Sequence, residues 1–150
     1  GLVDIGFDGY NFGGFVVDKD GNLVIDEMSI VVENTPKDKF KYAMGVGKPE
    51  DIRKCSELGY TVFDTVLVTR NARHGTLYSS DMDGEVLRIM NAEYSLDERP
   101  IDSNCDCYTC RNFNRAYIHH LLRAGEATGM TLATIHNLRY YQRLIDLLNL

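Results

Sequence analysis

Cys105, Cys107, Cys110 and His136 make a Cys-x-Cys-x2-Cys-x25-His set, and they use three of the only four cysteines in a chain of 150 residues. Three thiolates and one imidazole fill the tetrahedral shell of Zn2+ and leave no position for a water nucleophile. The pattern therefore predicts one structural zinc rather than a catalytic one. Disulfide pairing is the competing reading, but three cysteines packed this closely would leave one thiol over, which favours metal. His136 falls inside a helical pattern, so a metal bound there clamps that helix back onto the cysteine turn. Cys55 stands apart between Ile52 and Leu58 and reads as a small core hydrophobe.

A hydrophobic content of 44% lets the chain bury one sizeable core, which argues for a globular unit, whole or part. No run approaches the roughly 18 consecutive apolar residues of a membrane helix, and residues 1–14 lack the regions of a signal peptide. A cytoplasmic protein without membrane contact is expected. The formal charge of −6 by itself argues against a nucleic-acid partner. The charge is polarised, however: from Cys107 to Leu150 five arginines meet only Glu126 and Asp146, and after Lys54 no lysine occurs. Arginine suits bidentate phosphate contacts.

Three apolar segments, Tyr10 to Val17, Phe40 to Gly47 and Val62 to Val68, read as buried strands. Between the last two, Pro49 to Leu58 has proline at the first helical position, acids in the first turn and a terminating Gly59, which predicts a helix. A further helix is expected over Asp26 to Asn34. This alternation implies α/β architecture with a parallel sheet, open or closed into a barrel. Beyond Val68, Thr76 to Ser79 and Glu85 to Ile89 flank Asp81-Met82-Asp83-Gly84 as a hairpin. Two helices are expected to follow, Arg111 to about Ala127 and about Met130 to Leu148, separated by Gly129. The first would bury Phe113, Ala116, Tyr117, Leu121 and Ala124, the second Leu132, Ile135, Leu138, Ile145 and Leu148.

Function in parallel sheets collects at the carboxyl ends of strands. Gly13-Gly14, Met44-Gly45-Val46-Gly47-Lys48-Pro49, Asp64 and Thr69-Arg70-Asn71-Ala72-Arg73-His74-Gly75 all fall at or near such ends. Asp64 lies among apolar residues, so its carboxylate is either paired internally, for instance with an arginine, or exposed inside a site. Arg70 and Arg73 suit a phosphate backbone, or form a solvated basic turn. Gly45-x-Gly47-Lys48 does not complete a nucleotide phosphate loop, and glycine there lets a flat ligand approach the backbone. Met44 reads as core or ligand contact, and His119 and His120 as helix-surface or packing residues.

Taken together, Phe12-Gly13-Gly14, Tyr42 to Ile52, Phe63-Asp64, Thr69 to Gly75, Pro100-Ile101-Asp102, the four candidate zinc ligands and Arg115 to Leu121 resemble the tRNA-guanine transglycosylases, also called queuine tRNA-ribosyltransferases. The resemblance implies the C-terminal part of a (β/α)8 barrel with a zinc-binding subdomain. Residues 1–75 would be its last three β/α units, and 76–150 the hairpin, zinc subdomain and C-terminal helices. It implies exchange of guanine in tRNA, at the anticodon wobble position, for a 7-deazaguanine such as queuine or a precursor. Asp64 would attack the ribose to form a covalent intermediate. Gly13, Gly14, Met44 and Gly45 would contact the base. Gly45, Val46, Gly47, Lys48, Pro49, Glu50 and Asp51, with Thr69, Arg70, Asn71, Ala72 and Arg73, would contact RNA. Zn2+ on Cys105, Cys107, Cys110 and His136 would be structural. Because three strands cannot close an eight-stranded barrel, an N-terminal half is an expected partner, and a homodimer is the expected complete enzyme. A noncatalytic zinc-stabilised RNA-binding or dimerisation subunit, and a transglycosylase acting on DNA, are the alternatives.

Overall fold

The structure is a computed structural model that describes residues 1–82 and 86–150. Its contacts fall into two compact units, Gly1–Val66 with Leu148–Leu150, and Leu67–Leu147. Residues 67–75, expected with the first half, thus belong to the second unit.

The first unit runs α1 (Leu2–Ile5), β1 (Gly9–Phe12), α2 (Ile25–Glu33), β2 (Phe40–Ala43), α3 (Pro49–Leu58) and β3 (Val62–Phe63). The strands form a parallel sheet in the order β1-β2-β3. The helix α3 begins as its sequence dictates: Pro49 occupies the first turn behind Lys48, Glu50 and Asp51 sit where the helix dipole favours acids, and left-handed Gly59 ends it. Its inner face sets Ile52 and Cys55 into the core beside Met28 and Tyr60. The Tyr60 hydroxyl donates to the Met28 carbonyl at 2.9 Å, so this large ring buries no unmet polar group. Burial raises the Cys55 thiol to about 11, the behaviour of an inert packing residue.

All three strands are shorter than the apolar runs that announce them. The strand expected through Val17 stops at Phe12, before Gly13-Gly14; the run to Gly47 stops at Ala43; and the run to Val68 is a strand only at Val62–Phe63. Leu67 and Val68 instead open a helix, α4 (Leu67–Arg73). A short apolar run does not by itself distinguish strand from buried helix. Here Val68 and Ala72, four apart, go inward together.

In the second unit β4 (Thr76–Tyr78) pairs antiparallel with β5 (Val86–Arg88), Leu77 opposite Leu87. The Asp83-Gly84 tip of the expected hairpin lies outside the described residues. The helices α5 (Tyr108–Asn112), α6 (Arg115–Arg123) and α7 (Ala127–Leu147) follow. The single helix expected from Arg111 is thus two, because the Asn114 side chain accepts from Tyr117 N–H and starts α6 afresh. The face of α6 also differs from expectation: Arg115, Ile118, Leu121 and Leu122 are buried, while Tyr117 and Ala124 are exposed. On α7 the buried set includes Leu132, Ala133, His136, Asn137, Tyr141 and Leu144, whereas Leu138 is exposed. Leu77, Leu87, Ile89, Ile101, Ile118 and Leu132 form the centre of this unit's core. Asn137 is its buried polar staple, accepting from Tyr78 N–H at 3.2 Å and donating to the Val68 and Thr76 carbonyls at 3.1 Å each.

Gly129 does not separate the last two helices. It lies inside α7, buried where that helix crosses α6, and an added Cβ would stand 2.8 Å from Leu121 Cβ. Close helix contact, not chain reversal, selects glycine here. Gly129→Ala is expected to destabilise the protein by about 1–3 kcal/mol through overpacking, despite a gain of about 1 kcal/mol in helix propensity. Urea unfolding of the two proteins measures the difference.

Candidate active site and metal centre

The register of the parallel sheet aligns Phe12 with Ala43 and Ala43 with Phe63. The next residue in each strand is Gly13, Met44 and Asp64 respectively. Three separate sequence segments therefore leave the sheet on one line at its carboxyl edge, where a parallel sheet carries its chemistry.

Asp64 is exposed and has no ion-pair partner among the described residues. Its Oδ1 accepts from the Tyr42 hydroxyl at 2.7 Å and from Gly45 N–H at 2.8 Å. The first contact follows from register: Tyr42 pairs with Val62, and Asp64, two residues on, returns to the same face. The second needs glycine. Gly45 has φ +77°, a left-handed conformation, and a Cβ there would meet nothing, so the turn also lies open to a ligand. The Tyr42 bond first and the Gly45 bond second hold the Asp64 carboxyl below its ordinary value, while the same carboxylate raises the Tyr42 phenol. At neutral pH this is an ionised carboxylate beside a protonated phenol.

The surroundings suit a flat ligand. Gly13 and Gly14 are exposed, Met44 is 42% exposed rather than in the core, and Phe15 is 92% exposed. A Cβ on Gly47 would collide with the Thr65 side chain, so the loops that follow β2 and β3 touch directly. Within the expected RNA segment, Lys48 and Glu50 are exposed and Pro49 half-buried, whereas Val46, Gly47 and Asp51 are buried. Burial, opposed by Lys48, pushes the Asp51 carboxyl up.

The segment Thr69 to Arg73 is part of α4 rather than a turn. Arg70, Arg73 and His74 are exposed, and neither arginine has an ion-pair partner among the described residues. Three residues apart on a helix, the two guanidiniums share one side. Ala72 faces the core, and Asn71 Nδ2 donates to the Tyr78 hydroxyl at 2.8 Å.

The second unit brings the four expected metal ligands together, with one donor atom from each of Cys105, Cys107, Cys110 and His136 within 4.8 Å of the others. His136 Nδ1 stands 3.2 Å from Cys110 Sγ and 3.8 Å from Cys107 Sγ. Its Nε2–H donates to the Tyr78 carbonyl at 2.6 Å, which leaves the Nδ1 lone pair for a metal. Cys107 caps the start of α5 by accepting from Cys110 N–H, and hydrogen bonds from Cys105 and Cys110 hold its thiol well below the ordinary value, while Cys110 is pushed up. The loop is further tied to α7 by a two-point contact from Arg139 to Asp106 at 2.6 and 3.0 Å and by Thr109 donating to the Leu132 carbonyl at 2.7 Å. Soft donors, closed fourfold coordination and an oriented imidazole fit one structural Zn2+.

Tyr42 and Asn137 carry contacts that no sequence pattern assigned to them. Arg115 is a third: 3% exposed, it donates to Asp97 Oδ2 at 3.1 Å and to the Ile101 carbonyl at 2.9 Å.

An exposed carboxylate at the carboxyl edge of a parallel sheet, joined in one chain to a Cys3His unit that can hold a metal, defines an α/β protein with a metal-binding unit. The family model for queuine tRNA-ribosyltransferase matches residues 1–148, and the chain belongs to that family. It is 50% identical over 148 residues to a queuine tRNA-ribosyltransferase of Psychrobacter cryohalolentis, covering 97% of this chain and 39% of that protein. A queuine tRNA-ribosyltransferase of Nitrosomonas eutropha is 52% identical over 146 residues, covering 97% of this chain and 40% of that protein. The chain thus spans about two fifths of the length of these relatives.

Proposed function

We propose that this chain supplies the nucleophile, base-contact loops and metal unit of a tRNA-guanine transglycosylase. The supporting observation is the alignment of Gly13, Met44 and Asp64 at one sheet edge, with Asp64 ionised and unpaired by any cation among the described residues. Asp64 attacks the ribose anomeric carbon, guanine leaves, and a 7-deazaguanine, queuine or a precursor, displaces the aspartyl ester. Two inversions restore the configuration, as in a retaining glycosidase. Gly13, Gly14, Met44 and Gly45 frame the base. Lys48, Arg70 and Arg73 contact tRNA phosphates around the anticodon wobble guanine.

The parent fold is a (β/α)8 barrel in the cytoplasm, with residues 1–75 as its last three units and 76–150 as the zinc subdomain. An N-terminal portion completes it, and the complete enzyme is a homodimer. Exposed Leu2, Ile5 and Phe7, and a largely apolar cavity of about 640 Å3 lined by Leu2, Val3, Phe7, Tyr10, Ile30 and Val31, support further polypeptide packing beyond β1.

The test is incorporation of labelled guanine into tRNA and into duplex DNA by enzyme assembled from this chain and the family's N-terminal portion. Incorporation into tRNA alone is expected. Incorporation into DNA alone would move the substrate to DNA, and salt-dependent tRNA binding without incorporation would make the chain a noncatalytic subunit. In the same enzyme, the Arg70→Ala, Arg73→Ala pair is expected to weaken tRNA binding and to reduce the slope of log K against log salt by about 1–2. Filter binding across a salt series measures it.

A further inference from the structure

We infer that Tyr42 and the backbone N–H of Gly45 form a two-donor cradle on Asp64 Oδ1 that leaves Oδ2 to attack and makes the carboxylate a better leaving group in the second half of the exchange. The inference rests on the reading of Asp64 as nucleophile.

Both hydrogen bonds end on the same oxygen, at 2.7 and 2.8 Å, and Oδ2 has no partner among the described residues. Neither donor can easily withdraw. Tyr42 lies within β2, one residue before the strand ends, and the Gly45 amide is held by the left-handed turn that follows. A peptide N–H can only donate, and the neighbouring carboxylate keeps the phenol protonated.

In the first step an Oδ2 lone pair forms the bond to the sugar carbon. The glycosidic bond breaks, and guanine departs with its electron pair, taking a proton from water or from an acid of the complete enzyme. Oδ1 becomes the carbonyl oxygen of the ester. In the second step the incoming base gives up its ring N–H proton to water or a base of the complete enzyme and bonds to the sugar carbon. The ester electron pair returns to the carboxylate, and the charge regained by Oδ1 meets two donors already in place. Donors of this kind stabilise the ionised carboxylate more than the neutral ester. They therefore slow attack and speed departure. The depressed Asp64 carboxyl has the same sign and the same first cause, the Tyr42 bond.

Tyr42 is thus a positioning residue whose loss should trap the enzyme as ester. In the assembled enzyme with labelled tRNA, Tyr42→Phe is expected to raise the denaturant-resistant adduct at steady state and slow its discharge by added base roughly tenfold. The Asp64 carboxyl, followed by 13C NMR, should titrate at higher pH in Tyr42→Phe. Placing 3-fluorotyrosine at position 42, a stronger donor of nearly the same shape, should shift adduct and titration the opposite way and carries the test should Tyr42→Phe fail to fold. Discharge and titration unchanged in both variants would overturn the inference while leaving Asp64 as nucleophile. Absence of any adduct with Tyr42 intact would remove both readings.

Discussion

Asp64→Asn is expected to abolish the covalent RNA adduct and to lower base exchange by on the order of 10³-fold or more, the scale seen when a catalytic nucleophile is removed. Asparagine retains an oxygen that can accept from Tyr42 and Gly45 N–H, the two donors that bind Oδ1, so the turn after β2 keeps its anchor. Only the second oxygen, the one proposed to attack, is lost. Asp64→Ala removes the anchor as well and should show the same chemical defect with a looser loop. In both variants zinc content should stay at one per chain, because the ligands Cys105, Cys107, Cys110 and His136 belong to the other compact unit. Denaturing gels of enzyme incubated with labelled tRNA give the adduct directly. Adduct at the level of the unmodified enzyme in Asp64→Asn would take the nucleophile role away from this residue.

Removal of zinc has the largest expected effect on stability. The second unit places three sulfurs and a fully buried imidazole within 4.8 Å, so loss of the cation leaves thiols or thiolates crowded in a buried space. Binding energy at such a site is folding energy, about 10–16 kcal/mol in small zinc peptides, against a total stability of about 5–15 kcal/mol for an ordinary domain. Chelation, or His136→Ala, is therefore expected to loosen α5 and α7 from β4 and broaden or abolish the thermal transition of Leu67–Leu147. His136→Ala also severs the bond to the Tyr78 carbonyl. His136→Cys keeps four soft ligands and should recover metal binding with partial stability. Metal analysis, the d–d absorption of the Co2+-substituted protein and circular dichroism on heating separate these cases. A chelated, metal-free protein that melts unchanged would defeat the structural role.

The metal ligands were legible in the sequence because coordination chemistry restricts residue type and spacing more tightly than packing does. The helix Pro49–Leu58 was legible for a similar local reason: proline, acids and glycine stand where the backbone of one helix requires them. The apolar run through Val68 was not resolved, since its turn into helix depends on what Val68 and Ala72 pack against. Nor was the role of Gly129, whose missing side chain matters only because Leu121 lies opposite.

The candidate site divides the same way. Asp64 stood out by itself, as one charge in an apolar stretch. Its hydrogen-bond partner Tyr42 lies 22 residues away, and nothing in the intervening sequence links them. The sequence by itself determined the metal ligand set, the α/β alternation and the family. Only the tertiary structure decided the strand register that joins Tyr42 to Asp64, the helical state of Leu67–Arg73 and the crossing of α6 with α7 at Gly129. Local chemistry is written along the chain, whereas register and close approach are properties of segments distant in sequence, settled by which pairing buries the most surface and leaves the fewest polar groups unmet.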